Sequence, residues 1–282
     1  MINHPSFSDI PALKTMWKLC FPKDKTQFVN FYFEEVLKTN QSLALWNNNT
    51  LVAFLQILPY QIKIGDKTYN AGYISGAMTH PEHRQKGYMQ QLLNAAFEEM
   101  KKQSFTFSFL IPQDDQLFDF YGKFGYRPAF PKTIKTVSIS GNDSSGIVHG
   151  SPRNFLSLYP FYCSFLSQQE NAVLKTPAQF EAMLEDLHLD SGMVFIVNAG
   201  QQGIAFAIPQ VDSVLIKELF YDCDATKQRI LNAVQKTFQT ETLRCVFRHS
   251  GEKNHFFGMI KILDNTLFPA GLPDIYMSMM LD

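Results

Sequence analysis

Residues Arg84-Gln85-Lys86-Gly87-Tyr88-Met89 form a basic turn between an extended run ending at Ala77-Met78-Thr79 and an amphipathic run. The first turn of a helix exposes unsatisfied backbone N–H groups and the positive end of the helix dipole. Gly87 has no Cβ, so the backbone there can approach a ligand closely. Arg84 and Lys86, helped by His80 and His83, add positive charge. The combination suits an anion, above all a pyrophosphate. It also suits an ordinary turn. Neither a Gly-Lys-Ser/Thr phosphate loop nor a G-x-G-x-x-G dinucleotide pattern is present, so those two nucleotide readings lose ground.

The elements that must position this turn follow from periodicity. Ser8 stands where an N-cap would open a helix over 10–19, and a second helical stretch covers 26–37. Two β-like runs, 42–46 and 51–58, flank Asn47-Asn48-Asn49 as a hairpin, and Gly65-Asp66-Lys67 turns into a strand over 68–79. After the basic turn, Met89, Leu92, Leu93, Ala96, Phe97 and Met100 line one helical face. A strand over 105–111, a short helix over 115–124 and a strand over 133–140 complete the first half. The small polar run Gly141–Gly146 is the expected boundary, giving domains 1–145 and 146–282.

The second half repeats the order. Helices over 154–166 and 178–187 precede strands over 193–198 and 203–208 around a Gly200-Gln201-Gln202 turn. A strand over 214–221, a helix over 225–239 and a strand over 243–249 follow. Helix-helix-hairpin-strand-helix-strand twice over reads as a duplicated α/β (α+β) lobe.

Composition bounds the rest. With 282 residues, 45% hydrophobic and 18% charged, the chain is long and apolar enough for real cores and is not disordered as a whole. A net charge of −1 supplies no global field for nucleic acid or anionic lipid. No apolar run is long enough to span a bilayer, and the N-terminus lacks a secretory pattern, so a cytoplasmic location without nucleic-acid or membrane partners is expected. The four scattered cysteines read as free thiols, and the 26 phenylalanines as core packing.

At Arg84–Met89 the chain resembles the R/Q-x-x-G-x-G/A acetyl-CoA loop of the GNAT N-acetyltransferases, with Met89 where that family usually has Gly or Ala. Phe120-Tyr121-Gly122-Lys123-Phe124-Gly125-Tyr126 is similar to the family's fourth-helix segment. In detail it is most similar to the enhanced-intracellular-survival branch, which has two GNAT-like lobes in tandem and a sterol-carrier-like third domain missing from this sequence. The resemblance carries these motifs over roughly residues 40–130 and extends weakly over the duplication.

The resemblance implies two lobes, each a mixed, largely antiparallel sheet flanked by helices. Acetyl-CoA would be the co-substrate. Its pyrophosphate would sit on the N–H groups of Gln85, Lys86, Gly87, Tyr88 and Met89, beside Arg84. Its thioester would lie along Ala77, Met78 and Thr79, with the Met78 N–H as oxyanion donor. Tyr121 matches the general-acid tyrosine that protonates the leaving thiolate. The residues alone favour core packing for Tyr121, at helical spacing with Leu117, Phe118 and Phe124; the resemblance reverses that reading.

No base is assigned. Glu34, Glu35, Asp114 and Asp115 read as solvated surface charges, and the Asp282 carboxylate or water stay open. Cys20, placed far from the motifs, argues for direct transfer over a covalent route. His80, Glu82 and His83 read as loop residues rather than metal ligands. In the second half, Phe220–Lys227 lacks a glycine and carries Asp222 and Asp224 where a pyrophosphate would sit, with Asp224 the expected cap.

One CoA site per chain is therefore expected, with the second lobe shaping the acceptor pocket or an oligomer interface. The leading function is N-acetylation of a small-molecule or peptide primary amine. The alternatives are a non-catalytic acyl-CoA-binding or sensing module and a transfer-RNA-dependent aminoacyl transferase.

Overall fold

The computed structural model describes residues 1–197, 202–248, 255–264, 267–268 and 271–281. The chain divides into two compact units, Met1–Phe130 with Phe256–Pro273, and Pro131–His255 with Asp274–Asp282. The division falls ahead of the Gly141–Gly146 run, which lies inside the second unit.

The first unit contains, in chain order, β1 (Ile2–Asn3), α1 (Ile10–Cys20), α2 (Thr26–Phe31), β2 (Ser42–Asn47), β3 (Thr50–Ile64) and β4 (Lys67–Thr79). It continues with α3 (Tyr88–Lys102), β5 (Phe107–Leu110), α4 (Gln116–Gly122) and β6 (Arg127–Pro131). Its sheet runs β1-β2-β3-β4-β5, then the returning strand Phe256–Ile262, then β6. β4 and β5 pair in parallel around α3, whereas β2, β3 and β4 are antiparallel neighbours.

Asn48 and Asn49 take positive φ of 48° and 62° in the β2–β3 turn, as hairpin geometry demands. The start of α1 differs from expectation. Ser8 lies inside a short 3-10 turn, Phe7–Asp9, and Asp9 precedes the helix. The Asp9 carboxylate accepts from the Ser6 N–H and hydroxyl, both at 2.7 Å, so Ser6, not Ser8, is the N-cap of this opening turn, in a capping box with Asp9.

Leu92, Leu93, Ala96, Phe97 and Met100 of α3 are buried against Leu43, Leu45, Val52, Ala53, Leu55 and Ile57 of β2 and β3. Burying each of the larger side chains is worth about 1.5–3 kcal/mol. Packing of this face holds α3 against the sheet.

The second unit contains β7 (Thr133–Val137), β8 (Ile147–Gly150), α5 (Tyr159–Ser167), β9 (Asn171–Leu174), α6 (Pro177–Leu189) and β10 (Met193–Val197). β11 (Gly203–Pro209), β12 (Val214–Tyr221), α7 (Asp224–Phe238) and β13 (Leu243–Phe247) follow. Its sheet runs β7-β13-β12-β11-β10-β8, with β12 and β13 parallel around α7. Both units are therefore mixed, largely antiparallel sheets flanked by helices, each with a parallel pair joined through a helix. The expected Gly200–Gln201 turn and the ends of two second-half strands, at Asn198 and His249, lie outside the described residues.

Candidate functional site

The site starts where β4 outruns its neighbour. Pairing with β5 ends at Ile74↔Leu110, and β4 continues to Thr79. On the other side its register with β3 shifts from Gln56↔Ser75 to Phe54↔Met78, so β4 carries one extra residue, a β-bulge. Gly76 in the bulge has φ +58°. A Cβ there would lie 2.8 Å from the Trp17 ring and 3.1 Å from the Tyr32 hydroxyl. The buried Tyr32 hydroxyl donates to Gln56 Oε1 at 2.8 Å and lies 3.1 Å from Ser75 Oγ, tying the bulge to both strands.

Gly76→Ala should therefore combine left-handed strain of about 1–2 kcal/mol with overpacking of about 1–3 kcal/mol. The expected outcome is an unfolding midpoint lowered by roughly 5–15 °C, read by differential scanning calorimetry.

The Thr79 carbonyl accepts from Cys20 Sγ at 3.3 Å and Arg84 Nε at 3.4 Å, whereas the His80 N–H donates to Val52 O at 2.9 Å on the β3 side. Backbone groups of successive strand residues turn alternately to opposite sides. Those of Met78 thus face β3, and those of Thr79 face the open edge.

The basic turn delivers its backbone to the same edge. Gln85 and Gly87 have φ of +61° and +76°. Gly87 is the N-cap of α3 and supplies no side-chain hydrogen bond to the first turn. A Cβ on Gly87 would meet only Gln90 Oε1, at 4.0 Å, so backbone conformation rather than crowding calls for glycine. Lys86 Nζ donates to Glu82 O at 3.1 Å, and the Glu82 N–H donates to His80 Nδ1 at 3.3 Å. The loop thus presents Arg84, Gln85, Lys86 and Gly87 on an exposed turn. Uncapped N–H groups beside two cations fit a diphosphate.

A cavity of about 500 Å³ joins these parts. It is lined by Ala77, Met78 and Thr79, by the loop and first helical turn except Lys86, and by Asp114, Tyr121 and Phe124 on the α4 side. Nine of the ten residues singled out from sequence therefore share one cavity, and Lys86 sits on its basic loop.

Tyr121 is 7% exposed, with its ring edge-on to Phe120 at 5.1 Å and Tyr126 at 5.9 Å. Tyr126 Oη lies 2.6 Å from Ser108 Oγ in the core. Among the described residues no hydrogen bond satisfies the Tyr121 hydroxyl. Burial, reinforced by the charge of Asp114, pushes the Tyr121 phenol up to about 12.

Two expectations change here. Cys20 is not remote: its thiol lines the cavity and bonds to Thr79, a contact across 59 residues that sequence spacing does not reveal. Burial pushes this thiol up, outweighing the opposing influence of Arg84. Such a thiol is a poor nucleophile.

Asp114 is also part of the site. All four carboxylates are exposed, as expected; Glu34 pairs with Lys14 at 3.5 Å, and of the four only Asp114 lines the cavity. Asp114, one residue ahead of the α4 N-cap Asp115, accepts from the Leu117 N–H through Oδ1 at 3.2 Å. Its cavity position becomes visible only once α4 is placed. Asp282 lies outside the described residues.

At the start of α7 the cap also differs from expectation. Cys223 is the N-cap and Asp224 the first helical residue. Asp222 accepts from the Thr226 hydroxyl at 2.6 Å and the Gln202 N–H at 2.9 Å, which hold its carboxyl below the usual range. Two carboxylates and no glycine occupy the place that Arg84–Gly87 holds in the first unit.

Among the described residues no group of three or more His, Cys, Asp or Glu side chains could hold a metal ion, and no helix is long and apolar enough to cross a membrane.

The fold is shared with solved structures. A conserved protein of unknown function from Enterococcus faecalis V583, described as a probable N-acyltransferase, superposes with a TM-score of 0.78 at 14% identity, over 93% of this chain and 72% of that one. A GCN5-related N-acetyltransferase from Anabaena variabilis gives 0.75 at 15% identity, over 94% and 73%. Eis1 from Mycobacterium abscessus gives 0.67 at 11% identity, over 94% and 74%. No curated protein matches the sequence. The family model described as an acetyltransferase (GNAT) domain matches residues 2–129, the segment that builds the bulged strand, the basic turn and the tyrosine wall. That match assigns an acetyltransferase (GNAT) domain to residues 2–129.

Proposed function

We propose that the first unit transfers an acetyl group from acetyl-CoA to a primary amine by direct attack, and that the second unit binds no CoA. The observation that carries this reading is the single cavity joining the open edge of β4, the uncapped basic start of α3 and the unpartnered Tyr121 hydroxyl.

The N–H groups of Gln85 to Met89 would hold the diphosphate, with Arg84 and Lys86 neutralising it. The open edge at Ala77–Thr79 would hold the pantetheine arm. Strand alternation moves the oxyanion donor from Met78, whose N–H faces β3, to Thr79. Tyr121 would protonate the departing sulfur. The high Cys20 thiol supports direct transfer. The carboxylates of Asp222 and Asp224 would repel a diphosphate at α7.

Incubation with acetyl-CoA and a panel of primary amines should release free thiol above the hydrolysis background. CoA binding with no release to any amine would favour the non-catalytic acyl-CoA module instead.

The pH profile carries a sign. Tyr121 keeps its proton until the pH rises through about 12, while an alkyl amine loses its own near 10.4. The turnover rate should therefore climb from pH 7 to about 10 without an alkaline fall from loss of the acid. A decline centred near pH 8 would remove Tyr121 from that role.

A further inference from the structure

The one carboxylate among the described residues lining the cavity has no part in this reading. Among its described lining residues, the charged and titratable groups are Cys20 from α1, His83 and Arg84 from the loop, Tyr88 from α3, and Asp114, Tyr121 and Lys123 around α4. Asp114 is the only carboxylate of the set. The bond from the Leu117 N–H fixes its Oδ1, and no hydrogen bond occupies Oδ2 among the described residues.

We propose that Asp114 is the proton acceptor for the incoming amine, and that the acceptor is accordingly a cationic primary amine. This rests on the acetyl-transfer reading above. An ammonium group entering the cavity finds one anionic partner there, opposed by Arg84 and Lys123. Asp114 would hold the amine close to the edge where the thioester lies.

The proton count closes on these two side chains. The amine arrives as a cation and gives one proton to Asp114 Oδ2, which frees its lone pair. As the nitrogen bonds to the thioester carbon, the C–S bond breaks with its electron pair on sulfur, which takes the Tyr121 proton. The nitrogen then gives its surplus proton to the Tyr121 phenolate, a strong base in its buried setting, and Asp114 releases its proton to solvent. One ammonium ion and one thioester become one amide, one thiol and one released proton, with both side chains restored. The charge of Asp114 already acts on the Tyr121 hydroxyl in the resting site.

Asp114→Asn tests this, because the asparagine carbonyl can keep the bond from the Leu117 N–H and cannot take the proton. Acetyl transfer to 1,5-diaminopentane and to simple alkyl amines is measured from pH 7 to 9.5, with CoA binding followed by calorimetry. The expected result is a turnover number about 100-fold below wild type at pH 7. The gap should narrow several-fold by pH 9.5, where more amine is already free, with CoA affinity unchanged. Equal rates at pH 7, or a loss that does not change with pH, would overturn the role of Asp114 while leaving acetyl transfer intact. A wild-type protein that acetylates none of these amines would overturn the parent reading, and this inference with it.

Discussion

Tyr121→Phe is expected to lower the acetyl-transfer turnover number by roughly 10²–10³-fold, the usual loss when a positioned acid is removed. CoA affinity should stay within about twofold. The variant is clean because the hydroxyl has no hydrogen bond to lose among the described residues, and phenylalanine keeps the ring packing on Phe120 and Tyr126. Thermal stability should move by no more than about 2 °C, since no buried polar partner is orphaned. Tyr126→Phe is the control from the same segment. It leaves Ser108 without its buried partner and should cost stability, about 1–2 kcal/mol, with turnover largely kept. Turnover equal to wild type in Tyr121→Phe would make that tyrosine a packing residue only.

The second large effect is on binding. Arg84→Ala with Lys86→Ala should weaken CoA roughly 100-fold, about tenfold for each charge-assisted contact, while leaving the fold unchanged. Both side chains are exposed, and their hydrogen bonds run to the Thr79 and Glu82 carbonyls on the loop itself. The loss should shrink as salt is raised, as for any exposed charge attraction. Dephospho-CoA retains the diphosphate and should lose affinity in the double variant by a similar factor. A double variant that binds CoA as wild type does would move the diphosphate away from this loop.

The parts of the site that read clearly in the sequence are those whose cause is local. Gly87 and its cations announce an anion-binding helix start because backbone geometry and charge are set within a few residues. The buried face of α3 follows from its spacing, as does the Asn48–Asn49 turn from its residue types.

What stayed hidden depends on contacts between distant segments. Cys20 and Asp114 enter the cavity because α1 and the start of α4 meet the end of β4, and no spacing records that. The bulge is foreshadowed only by Gly76 within a strand. The strand Phe256–Ile262 went unread because the second half already held a full set of elements without it. It pairs instead with β5 of the first unit, as Ile260↔Phe109 and its neighbours show. At both α1 and α7 the expected cap is displaced because the helical backbone starts earlier: Ser6 with Asp9 opens the turn ahead of α1, and Cys223 precedes α7.

Isothermal titration of the intact chain with CoA tests the central claim most directly. The account predicts one site per chain, abolished or weakened about 100-fold when Arg84 and Lys86 are both alanine, and unaffected by Asp222→Ala. Two equivalent sites, or no heat at all from the wild-type protein, would contradict it.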